Sequence, residues 1–260
     1  MAFRPLALVF AAGLVAVPAL AQQPGAAADP SPAQSVSPTP PQLTPESRGD
    51  IAMARKMYRE AIEAFREGSP KDPVLLNKIG IAYHQMSLLP NARKSYEQAL
   101  RIKPDYMEAQ NNLGTIFYAA KSYRRAISAY RKAIRMVPES ARSASIYSNL
   151  GTAFFARKKY DEASEAYQIA LKLDPNVFES HSNYGVMLQE RNVEERARFH
   201  YQMAKLYAKS NRVELAMQYL RKALEEGFKD KKKLEEDPEF AAMRDMPEFQ
   251  ELLAKEQRVL

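Results

Sequence analysis

Three histidines are the chain's only imidazoles, His84, His181 and His200, and none has a partner at the spacing of a metal site or a catalytic dyad. Cysteine is absent, which removes thiolate nucleophiles, thiolate metal ligands and disulfides together. Adjacent acids occur as Glu194-Glu195, Glu225-Glu226 and Glu235-Glu236. Neighbours on a helix point to different sides, so these pairs carry solvated charge rather than a shared proton. The isolated glycines lack the strand-to-helix context of a phosphate loop. The expectation is therefore a chain without catalytic residues, metal or cofactor. What its residue types can do is grip another protein. Lys78, Asn112, Asn149 and Asn183 each stand two residues before a glycine, and a side-chain amide offers both donor and acceptor to an extended peptide backbone. Thr115 and Thr152 would widen this polar track, with His84, Tyr118 and Phe155 as apolar or aromatic footing.

A row of amides is useful only if regular elements present it at one level, and the sequence repeats accordingly. Gly, then Ala twelve residues on, an aromatic four later, Ala three later and Pro five later recur as Gly80, Ala92, Tyr96, Ala99, Pro104; as Gly114, Ala126, Tyr130, Ala133, Pro138; and as Gly151, Ala163, Tyr167, Ala170, Pro175. A weaker copy precedes them, Gly49, Ala61, Phe65, Gly68, Pro73, and a degraded one follows, Gly185, Ala197, Tyr201, Ala204, with Lys209 in place of Pro. Gly and Ala lack bulk, so two antiparallel helices can approach closely where they cross, and the aromatic is expected to fill the wider gap against the next hairpin. Pro ends the second helix because it cannot continue the hydrogen-bond ladder.

These spacings, together with the segment NNLGTIFYAAKSYRRAISAYRKAIRMVP, resemble the tetratricopeptide repeat family, whose unit of about 34 residues is a pair of antiparallel helices. The resemblance covers about Thr44 to Lys229. It implies an all-α right-handed superhelix of five to six hairpins, with first helices lining a concave side and second helices a convex one. It also implies the use of an Asn ladder to hold extended peptides. The family's usual Trp is missing, with Leu76, Gln110, Tyr147 and His181 in its place, and only Lys78 approaches the basic clamp that some members use for a C-terminal carboxylate. The stretch PESARSASIYSNLG carries three extra residues, which should extend a helix or loosen a turn.

Residues Val193 to Ser210 fit the second helix of the Gly185 hairpin and also the first helix of a further unit keyed by Ala204, Tyr207, Ala216, Leu220 and Ala223, so one helix is expected to serve both roles. Residues 230–260 resemble the closing segment of bacterial arrays; Asp237 is expected to cap a short helix, Pro238 to take its first turn and Phe240 to pack back, a device repeated at Pro247 and Phe249 with Asp245 nearby. An open solenoid end exposes apolar surface, so such a cap is required.

At the other end, residues 1–21 combine Arg4, an apolar run from Pro5 to Val17 and Ala19-Leu20-Ala21. That pattern predicts a signal peptide cleaved after Ala21 and a periplasmic or secreted protein, with an uncleaved anchor as the alternative. Residues 22–43, rich in Pro, Ala and Ser, read as a disordered linker. The net charge of +7 arises from Lys and Arg that alternate with Glu along nearly every helix; the densest runs, Arg157-Lys158-Lys159 and Lys231-Lys232-Lys233, read as solvated turns and faces. The expected function is a protein-binding scaffold of the cell envelope with a protein or peptide partner, no nucleic acid and no integral membrane segment after cleavage. Its competitors are an accessory subunit of an envelope enzyme or secretion machine, and a binder of anionic envelope surface.

Overall fold

The computed structural model describes residues 43–137, 139–180 and 192–254. Pro138, His181, Asn183, Gly185, the expected signal peptide and linker up to residue 42, and residues 255–260 lie outside the described residues.

Regular structure among the described residues is wholly helical, and it comes in pairs. Helix α1 (Pro45–Ala54) pairs with α2 (Tyr58–Arg66), α3 (Pro73–Gln85) with α4 (Leu89–Ile102), α5 (Met107–Ala119) with α6 (Tyr123–Ile134), and α7 (Ala141–Ala156) with α8 (Tyr160–Leu173). A four-residue helix, α9 (Val177–Ser180), follows. Among the described residues the fifth pair is α10 (Val193–Lys209) with α11 (Val213–Glu225). The chain closes with α12 (Lys231–Glu236), a 3-10 turn (Pro238–Met243) and α13 (Pro247–Ala254).

Local chemistry starts several of these helices. Thr44, Asp72 and Asn192 accept backbone N–H groups of the first turns of α1, α3 and α10, satisfying donors that have no helical partner, and Pro45 and Pro73 sit where a missing N–H costs nothing. Ser140 and Ser143 form a reciprocal capping box at the start of α7. The three extra residues lengthen that helix, which has 16 residues against 13 in α5.

The two helices of every pair are joined by the same turn. Lys56, Ser87, Lys121, Lys158 and Asn211 all have φ between 55° and 60°, the left-handed region, so each closes its helix with the bond pattern in which the next N–H reaches back five residues, as Ser122 N to Phe117 O at 2.8 Å. Four of these residues lie seven positions after Gly49, Gly80, Gly114 and Gly151; Asn211 lies seven after Ala204. That offset makes α10 the first helix of the last hairpin, with Ala204 at the glycine position; its expected second role, beside the Gly185 segment, falls on residues outside those described.

The glycines lie at the crossings within hairpins. A β-carbon on Gly80, Gly114 or Gly151 would come within 2.4 to 2.6 Å of the ring of Tyr96, Tyr130 or Tyr167, and one on Gly49 would reach the Phe65 ring at 2.2 Å. Each aromatic therefore sits on the glycine of its own hairpin, not primarily in the gap to the next one as the sequence suggested: the missing side chain leaves a slot as wide as a ring. Tyr96, Tyr130 and Tyr167 are buried, with the flanking Ala92, Ala99, Ala126, Ala133, Ala163 and Ala170. Pro104 and Pro175 each follow the last helical residue by two positions, as expected of chain breakers.

Successive hairpins stack second helix on first: α2 on α3, α4 on α5, α6 on α7, and α8 on α10. First helices also meet one another, α3 with α5 and α5 with α7. Convergence of first helices on one side makes them the inner wall and leaves the second helices outside. At the C-terminal end the cap is tied by a polar device. Asp237 makes no side-chain cap to the 3-10 turn, contrary to expectation; its buried carboxylate accepts the Tyr201 hydroxyl and pairs with Lys205 Nζ at 2.9 Å. Burial opposes that charge, but interactions with Glu239, Tyr201 and Lys205, in that order of weight, hold the Asp237 carboxyl below its ordinary range. Phe240 does pack back, its ring 6.1 Å from those of Tyr201 and Phe249.

Candidate interaction surface

Polar connections link neighbouring first helices along the inner wall from α1 to α7. Lys78 on α3 bonds to Glu46 at 2.7 Å and to Asp50 at 2.7 Å on α1. Burial works against the Lys78 charge, but these two carboxylates outweigh it and raise its pKa above the ordinary lysine value. Asn112 on α5 donates through Nδ2 to Asn77 Oδ1 on α3 at 3.0 Å, and Asn149 on α7 donates to Asn111 Oδ1 on α5 at 3.1 Å. Arg142 on α7 reaches Glu108 on α5 at 2.6 Å. Among the described residues, Asn112 and Asn149 of the expected amide row are therefore rungs between neighbouring first helices. Each bond uses one of an amide's two N–H groups and one lone pair, so Asn112 and Asn149, both half-buried, keep hydrogen-bonding capacity for a ligand.

The other expected contacts divide. Tyr118 and His84 are half-buried on the same helices, and burial lowers the His84 pKa, so its ring is neutral at pH 7. Thr152 and Phe155 are buried and do not belong to a surface track. Phe155 packs edge-on against Tyr160 and Phe199, with ring centres 5.2 Å away in each case. Thr152 meets the Tyr167 hydroxyl at 3.1 Å and Thr115 accepts that of Tyr130 at 3.4 Å. Both threonines follow the signature glycine directly, so their hydroxyls are placed to satisfy the tyrosine lying on it. The second hairpin has Ile81 at this position, and the buried Tyr96 hydroxyl has no hydrogen-bond partner among the described residues. Asn183 and Gly185 lie outside the described residues.

Sequence reasoning missed a charge asymmetry on the outer side. Residues 109–138 contain six basic residues and no Asp or Glu, a departure from the alternation of sign expected along the helices. Counting acids per window rather than runs of Lys and Arg would have found it.

Hairpins of paired helices in series, each closed by a small residue beneath a large one, define a helical-repeat solenoid. Sequence models described as tetratricopeptide repeat match residues 73–139, 105–176 and 148–230. The chain belongs to the tetratricopeptide repeat family. It is 32% identical over 126 residues to the heat-shock protein cognate co-chaperone sgt12 of Aspergillus fumigatus, covering 47% of this chain and 34% of that one. It is 35% identical over 85 residues to the protein O-mannosyl-transferase TMTC1 of Mus musculus, covering 31% of this chain and 9% of that protein. The chain thus spans about a third of one of these relatives and about a tenth of the other. Among solved structures, MamA aligns with a TM-score of 0.48 and 21% identity over 74% of this chain and 93% of the other; MamA of Desulfovibrio magneticus gives 0.47 and 19% over 68% and 89%. Repeats of this family serve as surfaces for protein partners. Among the described residues no helix is long and apolar enough to cross a membrane.

Proposed function

We propose that this chain is a non-enzymatic scaffold of the cell envelope that holds an extended segment of a partner protein along the inner wall formed by α3, α5 and α7. The observation that carries this reading is the regular step of half-buried amides, Asn112 and Asn149, at equivalent positions on successive first helices. Their spacing follows the repeat, and their remaining donors and acceptors suit a peptide backbone, which gives grip without strict demand on sequence. The rungs that tie the amides together also fix their direction, so less side-chain entropy is lost when a ligand binds.

A photo-crosslinking residue at Asn112 or Asn149, compared with one at Glu165 on the outer helix α8, tests this in cells. The inner positions should capture one defined protein that Glu165 does not; capture from Glu165 alone overturns the inner-wall reading. Export is part of the same proposal, supported by the leader-like residues 1–21 and the Ala19-Leu20-Ala21 pattern. The N-terminus of the native protein should read Gln-Gln-Pro, and a chain still beginning at Met1 would contradict cleavage.

A further inference from the structure

Four guanidinium groups surround one cleft beside the outer helix of the third hairpin, three from α6 and its C-cap and one from the end of α7. The cleft has a volume of about 390 Å³ and is lined by Arg124, Ile127, Ser128, Arg131 and Arg135 of α6 and its C-cap, and by Arg157 at the end of α7. Positions 124, 128, 131 and 135 fall on one helical stripe, so three arginines and a serine hydroxyl line the same side, with buried Ile127 as the floor. The Arg131 guanidinium is held over the Phe154 ring of α7, 5.3 Å from its centre, which fixes it at the seam between the two helices where Arg157 arrives.

Among the described residues none of these four arginines has a carboxylate at ion-pair distance, whereas Arg93, Arg142, Arg196 and Arg198 each have one. Other hairpins show that the stripe is unusual. The same register places Glu63 on α2, Glu97 on α4, Asp161 and Glu165 on α8, and Glu214 and Glu225 on α11. Every other second helix therefore brings at least one acid to the stripe, and α6 brings none. Four like charges facing one cleft repel one another unless a counter-charge enters. Guanidinium forks match a tetrahedral oxyanion bidentately and keep their charge at all physiological pH values.

We propose that Arg124, Arg131, Arg135 and Arg157 form a binding cleft for a phosphate group on the outer face of the third hairpin. The site is separate from the inner wall, so a partner segment and a phosphate-bearing ligand can be held together. The phosphate can come from a free anion or from a lipid headgroup, and the two sources are distinguished by experiment.

The full chain would be titrated with inorganic phosphate by calorimetry at fixed ionic strength, and sedimented with vesicles of phosphatidylglycerol or, as a neutral control, phosphatidylcholine. Two variants of equal net charge would be compared, Arg131→Gln with Arg135→Gln, and Arg221→Gln with Lys222→Gln on α11. Circular dichroism would establish that each variant is folded, and both α6 side chains are exposed. The α6 variant should weaken binding about tenfold, and the α11 variant by less than about twofold, because only the first removes forked contacts. Arg131→Lys with Arg135→Lys should also weaken binding, since charge is kept and the fork is lost. Binding of free phosphate that follows this pattern supports the cleft with a free anion as ligand. Binding of phosphatidylglycerol vesicles alone, with the same pattern, supports it with a headgroup as ligand. Equal loss in the α6 and α11 variants, or no binding of either ligand by the wild type, overturns the proposal. None of these outcomes bears on capture from Asn112 or Asn149, so failure here and failure of the inner-wall reading are distinct.

Discussion

The middle hairpins and the last one solve the same packing problem with different pairs. In the middle, Gly80, Gly114 and Gly151 lie under Tyr96, Tyr130 and Tyr167. In the last, the register puts Ala204 and Leu220 at those positions, both buried. A methyl is added on one helix while a ring is replaced by a branched aliphatic on the other, so the summed volume changes little. What the repeat conserves is therefore the total thickness of a crossing, not the identity of either side chain. The last hairpin spends its aromatics elsewhere: Tyr201 stacks on Phe228 with ring centres 4.4 Å apart and ties the cap through Asp237. A mid-array hairpin needs only packing, since its neighbours cover both faces. A terminal one must hold a lid in place, and a buried polar contact sets one position for it.

Substitutions that probe this difference span a range of effects. Tyr130→Ala empties a full ring from the middle of the array and should cost about 3–5 kcal/mol in chemical denaturation, with loss of structure spreading to both neighbours. Asp237→Asn should cost about 1.5–3 kcal/mol by weakening the bonds from Tyr201 and Lys205. The effect should stay at the end, so hydrogen exchange should accelerate over residues 231–254 and remain unchanged in α3 to α6; acceleration throughout would show that the cap is not a separate lid. Tyr167→Phe should cost about 1 kcal/mol because it removes the partner of the Thr152 hydroxyl. Tyr96→Phe should be neutral or stabilising, since Ile81 offers its hydroxyl no partner; equal costs in thermal unfolding would disprove the role given to the threonines. Lys121→Gly should stabilise the third hairpin by up to about 1 kcal/mol, because glycine adopts the left-handed turn without strain.

Most of the middle array was legible because its signals are steric and local. Gly114, Ala126, Tyr130 and Ala133 recur at fixed offsets because a helix crossing admits few solutions. Two kinds of information were not legible. The burial of Thr152 and Phe155 depends on which side of α7 meets α8 and α10, and periodicity alone placed them on the groove. The partners of polar groups were equally hidden: Asp237 resembles a cap in sequence, but Tyr201 and Lys205, more than thirty residues earlier, claim its carboxylate first. The amide row was visible, but its bonding between repeats was not, since Asn77 and Asn111 carry no mark that distinguishes them from solvated residues.

The rule of constant crossing thickness can be tested by making a middle hairpin resemble the last one. Stability would be measured for Gly114→Ala, Tyr130→Leu and the double substitution by urea denaturation. The account predicts that Gly114→Ala alone costs about 1–3 kcal/mol through collision with the Tyr130 ring, and that the double substitution is more stable than the sum of the single effects by about 1 kcal/mol or more. Additivity to within about 0.5 kcal/mol would contradict it, because the two side chains would then not share one space.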